Sequence, residues 1–159
     1  MPASEADLAA LLDRLGVERR RVAHEPVFTV EESRALRGFM PGAHSKNLFL
    51  KDRDGALWLV SCRDDRSFRV REIDRALGLK RASFGKPELL MEALGVPPGS
   101  VTPFAVINDR ARRVRVALDA QMMAAEVAHF HPLRNDATYA LAPEGLRRFL
   151  DETGHAPVD

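Results

Sequence analysis

The sequence is poor in cysteine and contains no long apolar run. Cys62 is the single cysteine among 159 residues, so no intrachain disulfide can form. No apolar run approaches the ~20 residues that a membrane-spanning helix needs. The opening segment carries Glu5, Asp7 and Asp13, and it lacks the basic region and apolar core of a signal peptide. These absences predict a cytoplasmic protein in a reducing compartment, with no membrane partner.

The sequence also lacks an excess of charge of either sign. Its 24 Lys and Arg residues nearly balance 23 Asp and Glu residues, and the formal net charge is +1. A basic surface that binds nucleic acid must therefore be a local patch of positive charge. Hydrophobic residues make up 45% of the chain, which is enough to build a core. We expect a single domain over residues 1–159.

Helices are predicted where apolar residues recur at helical spacing between a capping residue and a glycine. In the last of them, Leu146, Phe149 and Leu150 are expected to point inward. Thr29 and Glu32 have the spacing of a capping box, in which each side chain satisfies a backbone donor. The predicted helices are Glu5–Leu15, Thr29–Gly38, Val70–Leu77, Pro87–Leu94 and Glu144–Glu152.

Strands are predicted in a hairpin and in later segments rich in β-branched and aromatic residues. Apolar residues alternate with Arg and Ala along Arg113–Leu118, which predicts a strand with one buried and one solvent-exposed face. The strands do not alternate strictly with helices, which favours a mixed α/β fold: a mixed sheet or barrel-like core with helices outside. The predicted strands are Asn47–Lys51 and Ala56–Cys62, joined by the turn Asp52–Gly55, then Phe104–Asn108, Arg113–Leu118, Val127–Phe130 and Ala137–Leu141.

The first segment that could carry chemistry is His44–Leu50. Lys46 and Asn47 are predicted at the point where a loop enters an apolar strand. A polar group at such a junction is held rigidly and can meet a phosphate or a carbonyl. The alternative is a solvated lysine at the start of a strand.

The second segment, Gly95–Phe104, is a loop rich in proline and glycine between a helix and a strand. Backbone N–H groups in such a loop can converge on one point and bind an oxyanion or a carbonyl. The alternative is a plain connection between two elements.

The third segment, Phe130–Thr138, groups His131, Asn135 and Thr138. A histidine here could act as an acid, a base or a hydrogen-bond donor, or it could be satisfied by local backbone groups. His131, His129 and His44 fit no zinc spacing, so we expect no metal.

A local excess of positive charge lies between Ser61 and Lys86, where eight Lys or Arg residues face four Asp or Glu residues. Lys80, Arg81 and Lys86 belong to it. Such a stretch could follow a phosphate backbone, or it could be an ordinary solvated surface.

Together and in this order, these segments resemble the YbaK/proline-tRNA-synthetase-associated domain family, in particular its free-standing ProX-type members. The resemblance covers nearly the whole chain. The motifs that carry it are His24–Glu32, Ser45–Leu50, Gly99-x-x-x-Pro103, Phe130–Thr138, and Phe149-Leu150-x-x-x-Gly154-His155-x-Pro157.

The resemblance implies a barrel-like mixed core and hydrolysis of the ester between a wrong amino acid and its tRNA. ProX-like members remove alanine from proline tRNA, whereas YbaK-like relatives remove cysteine. By matching positions, Lys46 is the key lysine, the Gly99–Pro103 loop holds the aminoacyl carbonyl, and His131 lies close to the substrate. The expected partners are the acceptor end of mischarged tRNA and prolyl-tRNA synthetase, and no cofactor is expected. The expected substrate-binding residues are Phe28, Val30, Asn47, Phe49, Ser100, Val101, Thr102, Pro103 and Asn135.

Editing explains why such a pocket should be small. A synthetase cannot firmly reject a smaller amino acid, because a missing methylene is worth only ~1–3 kcal/mol. A second site can exclude the larger, correct residue by steric clash, and Phe28, Val30, Phe49 and Thr102 are candidate walls. The ester is already activated, so no strong protein nucleophile is required, and the neighbouring ribose hydroxyl could help to activate water. The alternatives are a deacylase for cysteine or serine, a non-catalytic module that binds tRNA or a synthetase, and a small-molecule metallohydrolase.

Overall fold

The computed structural model describes residues 2–24, 42–65 and 69–158. The predicted helix Thr29–Gly38 lies outside the described residues. The described helices are α1 Glu5–Arg14, α2 Val70–Leu77, α3 Pro87–Leu94, α4 Ala120–Met123 and α5 Pro143–Thr153, with a 3-10 helix at Pro103–Asn108. The described strands are β1 Arg20–Ala23, β2 Ala43–Lys51, β3 Leu57–Arg63, β4 Ser83–Phe84, β5 Val114–Leu118, β6 Ala128–Phe130 and β7 Ala137–Leu141.

The described strands form one mixed sheet of seven, in the order β1-β7-β6-β2-β3-β5, with β4 paired to β2 beside this path. The β2–β6 and β3–β5 pairs are parallel, and the remaining pairs are antiparallel. The predicted mixed α/β class is therefore confirmed. Among the residues that the structure describes, no helix is long and apolar enough to cross a membrane.

The part of the sheet formed by β2, β3 and β5 has an apolar cluster on each face. The larger cluster packs α1, α3, α5 and the 3-10 helix against one face, with Phe104 in edge-to-face contact with Phe130, Tyr139 and Phe149. The smaller cluster includes Ala117 of β5 and residues of α2 on the opposite face. The expectation that one face of β5 is wet is therefore wrong for Ala117, because this second cluster covers it.

Two of the predicted helices have the observed bounds because glycine ends them. Gly78 after α2 and Gly95 after α3 adopt φ angles of 70° and 67°, a left-handed conformation that glycine reaches without steric cost. At the start of α1, the Ser4 and Asp7 side chains form a reciprocal capping box. Local capping chemistry therefore fixes the boundaries of these helices.

The predicted strand Phe104–Asn108 is wrong, since this segment belongs to the 3-10 helix. The Thr102 hydroxyl accepts the Phe104 N–H, and Pro103 occupies the first helical position. The residues from Pro103 to Val106 are all buried, so the segment shows no alternation that could separate a strand from a helix. Strand β1 was missed, because most of Arg20–Ala23 is exposed at the edge of the sheet.

A buried polar pair fixes the C-terminal tail to the turn before β5. His155 Nε2 lies 2.9 Å from Asp109 Oδ2, and both side chains are only 2% exposed. The same carboxylate accepts the N–H groups of Arg113 and Val114. This pair joins the end of the chain to the edge of the sheet that carries β5.

We predict that His155→Ala lowers the free energy of unfolding by ~1–3 kcal/mol, because it removes the buried side-chain hydrogen bond to Asp109. Urea unfolding measures the change. Arg14→Ala is the control, since it removes an exposed ion pair to Glu152 and should cost less than ~1 kcal/mol. Equal losses in the two variants would contradict the structural role of His155.

Candidate active site

The candidate site lies at an interruption along one edge of β2. The opposite edge of β2 pairs continuously with β3 from Ser45 to Lys51. The interrupted edge pairs with β6 at Ala43–His44 and with β4 at Leu50–Lys51. Between these pairings, Ser45–Leu48 has no strand neighbour on this edge among the described residues. Backbone and side-chain groups are therefore presented here from a rigid central strand.

A small depression of about 170 Å³ opens at this interruption. Its volume is below the ~300–1,000 Å³ of typical ligand pockets, so it suits a small group such as a short side chain. It brings together the three predicted catalytic residues, two predicted substrate-binding residues and one serine. The lining residues are Ser45, Lys46, Asn47, Gly99, Val101 and His131.

Lys46 occupies the interior of β2, not its start. The strand begins at Ala43, and Lys46 pairs with Cys62 of β3. The expected loop–strand junction was wrong, because β2 extends four residues further toward the N-terminus than the apolar run at Asn47–Lys51 indicated. Since side chains alternate along a strand, Lys46 leaves the sheet on the face opposite to Ser45 and Asn47. Its backbone position is fixed by the ladder with β3.

A chain of hydrogen bonds orients the Asn47 amide. The Ser61 hydroxyl donates to Asn47 Oδ1 at 2.5 Å, and Asn47 Nδ2 donates to Ser45 Oγ at 3.3 Å. Ser45 Oγ in turn donates to the His129 carbonyl at 2.7 Å. The His129 carbonyl can only accept, so the Ser45 hydroxyl must donate its hydrogen to it and accept one from Asn47. The amide nitrogen of Asn47 therefore faces Ser45, and its oxygen faces Ser61.

Ser61 is fully buried beneath the site, and the sequence analysis missed it. It lies in β3 directly opposite Asn47. The signal was present as a lone hydroxyl within the apolar run Leu57–Cys62, since a buried hydroxyl almost always has a hydrogen-bond partner.

The second wall is a tight turn that requires glycine. The Ser100 N–H donates to the Pro97 carbonyl at 3.1 Å, and Gly99 adopts a φ of 93°. Proline followed by a glycine at positive φ is typical of a type II turn. Among the described residues, the N–H groups of Gly99 and Val101 donate no hydrogen bond. Two backbone donors at the wall therefore remain available to an acceptor in the depression.

His131 is half-buried and presents an acceptor nitrogen. Its Nδ1 lies 3.1 Å from the Ala137 carbonyl, so Nδ1 carries the hydrogen, and in the neutral ring Nε2 keeps a lone pair. Burial lowers the pKa of His131 below its ordinary 6.5, and the neighbouring His24 ring acts in the same direction. The hydrogen bond to Ala137 raises the pKa but does not reverse the shift. His131 is therefore neutral at physiological pH.

Several predicted substrate-binding residues do not line the depression. Phe49 is 4% exposed and belongs to the larger core cluster, and Thr102 is fully buried as the cap of the 3-10 helix. Phe49 is used in the packing of that cluster and the Thr102 hydroxyl caps the 3-10 helix, so their role as pocket walls stays a prediction. The others outside the lining are Ser100 and Pro103, which are buried, and Asn135, which is half-buried before β7. Phe28 and Val30 lie outside the described residues.

The predicted tRNA-binding residues lie on a second part of the surface. Arg81 and Lys86 line a depression of about 690 Å³. Lys80 lies beside it, and its Nζ is 3.4 Å from Asp54 Oδ2 in an exposed ion pair. Within the ranges described, no group of three or more His, Cys, Asp or Glu residues is arranged to hold a metal ion.

The fold and the depression define a mixed α/β domain with a small polar site at a gap in its sheet. A family profile described as an aminoacyl-tRNA editing domain matches residues 24–149, and the chain belongs to that family. The chain is similar to the zebrafish (Danio rerio) prolyl-tRNA synthetase associated domain-containing protein 1, with 39% identity over 96% of this chain and 84% of the relative. It is also 30% identical to the prolyl-tRNA editing protein ProX of Acetoanaerobium sticklandii, over 98% of this chain and 94% of that protein.

A solved structure described as a candidate trans-editing enzyme for prolyl tRNA synthetase has the same fold. Its TM-score is 0.73 at 18% identity, and the match covers 100% of this chain and 98% of the other. At this identity the likeness concerns the fold, and it agrees with the mixed sheet described above.

Proposed function

We propose that this protein is a trans-acting deacylase that hydrolyses alanyl-tRNA for proline, without a metal ion, in the cytoplasm. The observation that carries the proposal is the convergence of Lys46, the Gly99 turn and a neutral His131 on one depression of about 170 Å³. Family membership and the 30% identity to a ProX protein support the substrate class. The single domain is proposed to span residues 1–159.

The reaction needs an oxyanion site and a way to remove a proton from water. The Gly99 and Val101 N–H groups are suited to receive the carbonyl oxygen as negative charge develops on it. Water adds to the acyl carbon, and the bond to the ribose oxygen breaks. That oxygen leaves with a proton, which releases alanine and uncharged tRNA.

The polar side chains at the depression divide the remaining roles. Lys46 contributes a positive charge that suits a phosphate or the developing oxyanion. His131 Nε2 is the acceptor that can hold the proton of the attacking water or of the neighbouring ribose hydroxyl. Asn47 has its amide held by Ser61 and Ser45, so its remaining N–H is positioned for the substrate.

The test is a panel of proline tRNAs charged with alanine, cysteine, serine or proline, with hydrolysis followed for each. We expect alanine to be released fastest and proline to be spared. The protein should be assayed after treatment with a chelator, alongside elemental analysis. Loss of activity that a metal restores would favour a metal-dependent hydrolase, and faster release of cysteine or serine would reassign the substrate.

A non-catalytic module for tRNA or prolyl-tRNA synthetase is the second candidate, because animal relatives are described only as containing the associated domain. Binding of mischarged tRNA without any hydrolysis would favour this role. Prolyl-tRNA synthetase is the proposed protein partner in either case.

We predict that the acidic decline of kcat/KM for alanyl-tRNA has its midpoint below the ordinary histidine pKa. The reason is that the pKa of His131 is lowered, so its neutral form persists to more acidic pH. The pH profile of kcat/KM measures this, and His131→Asn should remove the acidic decline and lower the plateau. A midpoint at or above ~6.5 would contradict the role of His131 as the base.

A further inference from the structure

Among the residues that the structure describes, one aromatic side chain is left exposed to solvent, on β4. Phe84 of β4 is 62% exposed, whereas Phe49, Phe104, Phe130 and Phe149 are buried. Packing inside this domain does not account for a phenylalanine at this position. The charged residues around Phe84 indicate what kind of ligand this ring could bind.

Phe84 lies in the depression of about 690 Å³, among more cations than anions. Two of the acidic residues there already have hydrogen-bond or ion-pair partners. The Asp52 carboxylate accepts N–H groups of its own turn, and Glu92 pairs with Arg113 at 3.4 Å. The charged lining residues are Lys51, Arg53, Arg81 and Lys86 on the positive side and Asp52, Glu88 and Glu92 on the negative side.

This surface continues the same edge of β2 that carries the candidate active site. β4 pairs with β2 at Leu50 and Lys51, two residues after the stretch Ser45–Leu48. Phe84 is the cross-strand partner of Leu50, so it leaves the sheet on the same face as Lys46. Lys46 and Leu50 are about 13 Å apart along the strand at ~3.3 Å per residue. A stacked strand at ~3.4 Å per nucleotide covers that distance in about four nucleotides.

We propose that Phe84 is a stacking platform for a base near the unpaired 3′ end of an RNA whose terminal ribose lies at the candidate active site. Lys51, Arg53, Arg81 and Lys86 hold the phosphates on either side. An isolated aromatic ring surrounded by cations is the arrangement by which proteins bind unpaired nucleic acid, because every base offers a face for stacking. The inference rests on the proposed function for its substrate, and it adds a contact outside the catalytic depression.

The experiment uses Phe84→Trp as a fluorescent reporter. Trp58 is the single native tryptophan and is only 4% exposed, so it supplies a nearly constant background. Met91→Trp is the matched control, because Met91 is 46% exposed on α3 and does not line this depression. The probe is an uncharged RNA hairpin with an acceptor stem and an unpaired 3′ end, compared with the same hairpin lacking that end.

We expect the complete hairpin to quench Phe84→Trp strongly, and the truncated hairpin or the Met91→Trp control to give little quenching. Phe84→Ala should raise KM for alanyl-tRNA roughly tenfold with little change in kcat. Absent quenching, or equal quenching in the two reporters, would overturn the proposal and favour docking of a protein at this surface. The quenching assay uses uncharged RNA and therefore does not depend on catalysis. If quenching is absent but the protein still deacylates alanyl-tRNA, the stacking proposal fails and the proposed function stands.

Discussion

Lys46→Ala is expected to remove most of the deacylation activity while the fold stays intact. In the proposed function Lys46 supplies positive charge to the developing oxyanion, and a contribution of this kind is worth ~10²–10³-fold in rate, so kcat/KM for alanyl-tRNA should fall by about that factor. The backbone ladder of β2 with β3 does not depend on the side chain, so the thermal midpoint should barely move. Steady-state kinetics and thermal unfolding of the same preparation measure both effects.

Two controls make the Lys46 result specific. Arg14→Ala removes a positive charge from an exposed ion pair on α1, and it should leave kcat/KM unchanged. Lys46→Arg keeps the charge but changes its geometry, and it should recover part of the activity. Full activity in Lys46→Ala would show that Lys46 has no role in the reaction.

Val101→Ala is expected to let the protein hydrolyse prolyl-tRNA, which the proposed function expects the parent protein to spare. Val101 lines the depression and packs against the core behind it. Forcing the extra methylenes of proline against such a wall costs ~1–3 kcal/mol, so removing the wall should raise kcat/KM for prolyl-tRNA by roughly 5- to 150-fold. The rate with alanyl-tRNA should change much less, because alanine does not reach the wall.

The matched control for this specificity test is Val116→Ala. Val116 is 2% exposed in β5 and does not line the depression, so this variant loses stability but keeps its discrimination. Phe49→Ala and Thr102→Gly are expected to behave like the control, since both residues are buried away from the lining. Efficient prolyl-tRNA hydrolysis by the parent protein would end the editing hypothesis, and unchanged discrimination in Val101→Ala would assign selection to a polar contact.

Capped helices and the hairpin could be predicted from the sequence because their signals are local. Glycine after Leu77 and after Leu94 ends α2 and α3 at the predicted residues. The segment Pro103–Asn108 could not be assigned by pattern, since burial on all sides removes periodicity. The Thr102–Pro103 pair, a cap followed by proline, was the available clue.

The candidate site was predicted in part, for a related reason. Lys46, Gly99 and His131 lie in motifs that resemble a known family, and they do line one depression. The partnership of Ser61 with Asn47 depends on strand register, which brings together residues from two different strands. Phe49 and Thr102 do not line this depression, because a side chain's direction depends on packing that residue type alone does not reveal.

The gap along β2 also bears on self-association. Open strand edges invite pairing with another chain, which is a route to aggregation. Among the strands that the structure describes, β6 borders the stretch Ser45–Leu48 at one end and β4 borders it at the other. It spans about 13 Å, which is less than the ~17–20 Å of an ordinary strand. A stretch of this length is too short for a foreign strand to dock along it.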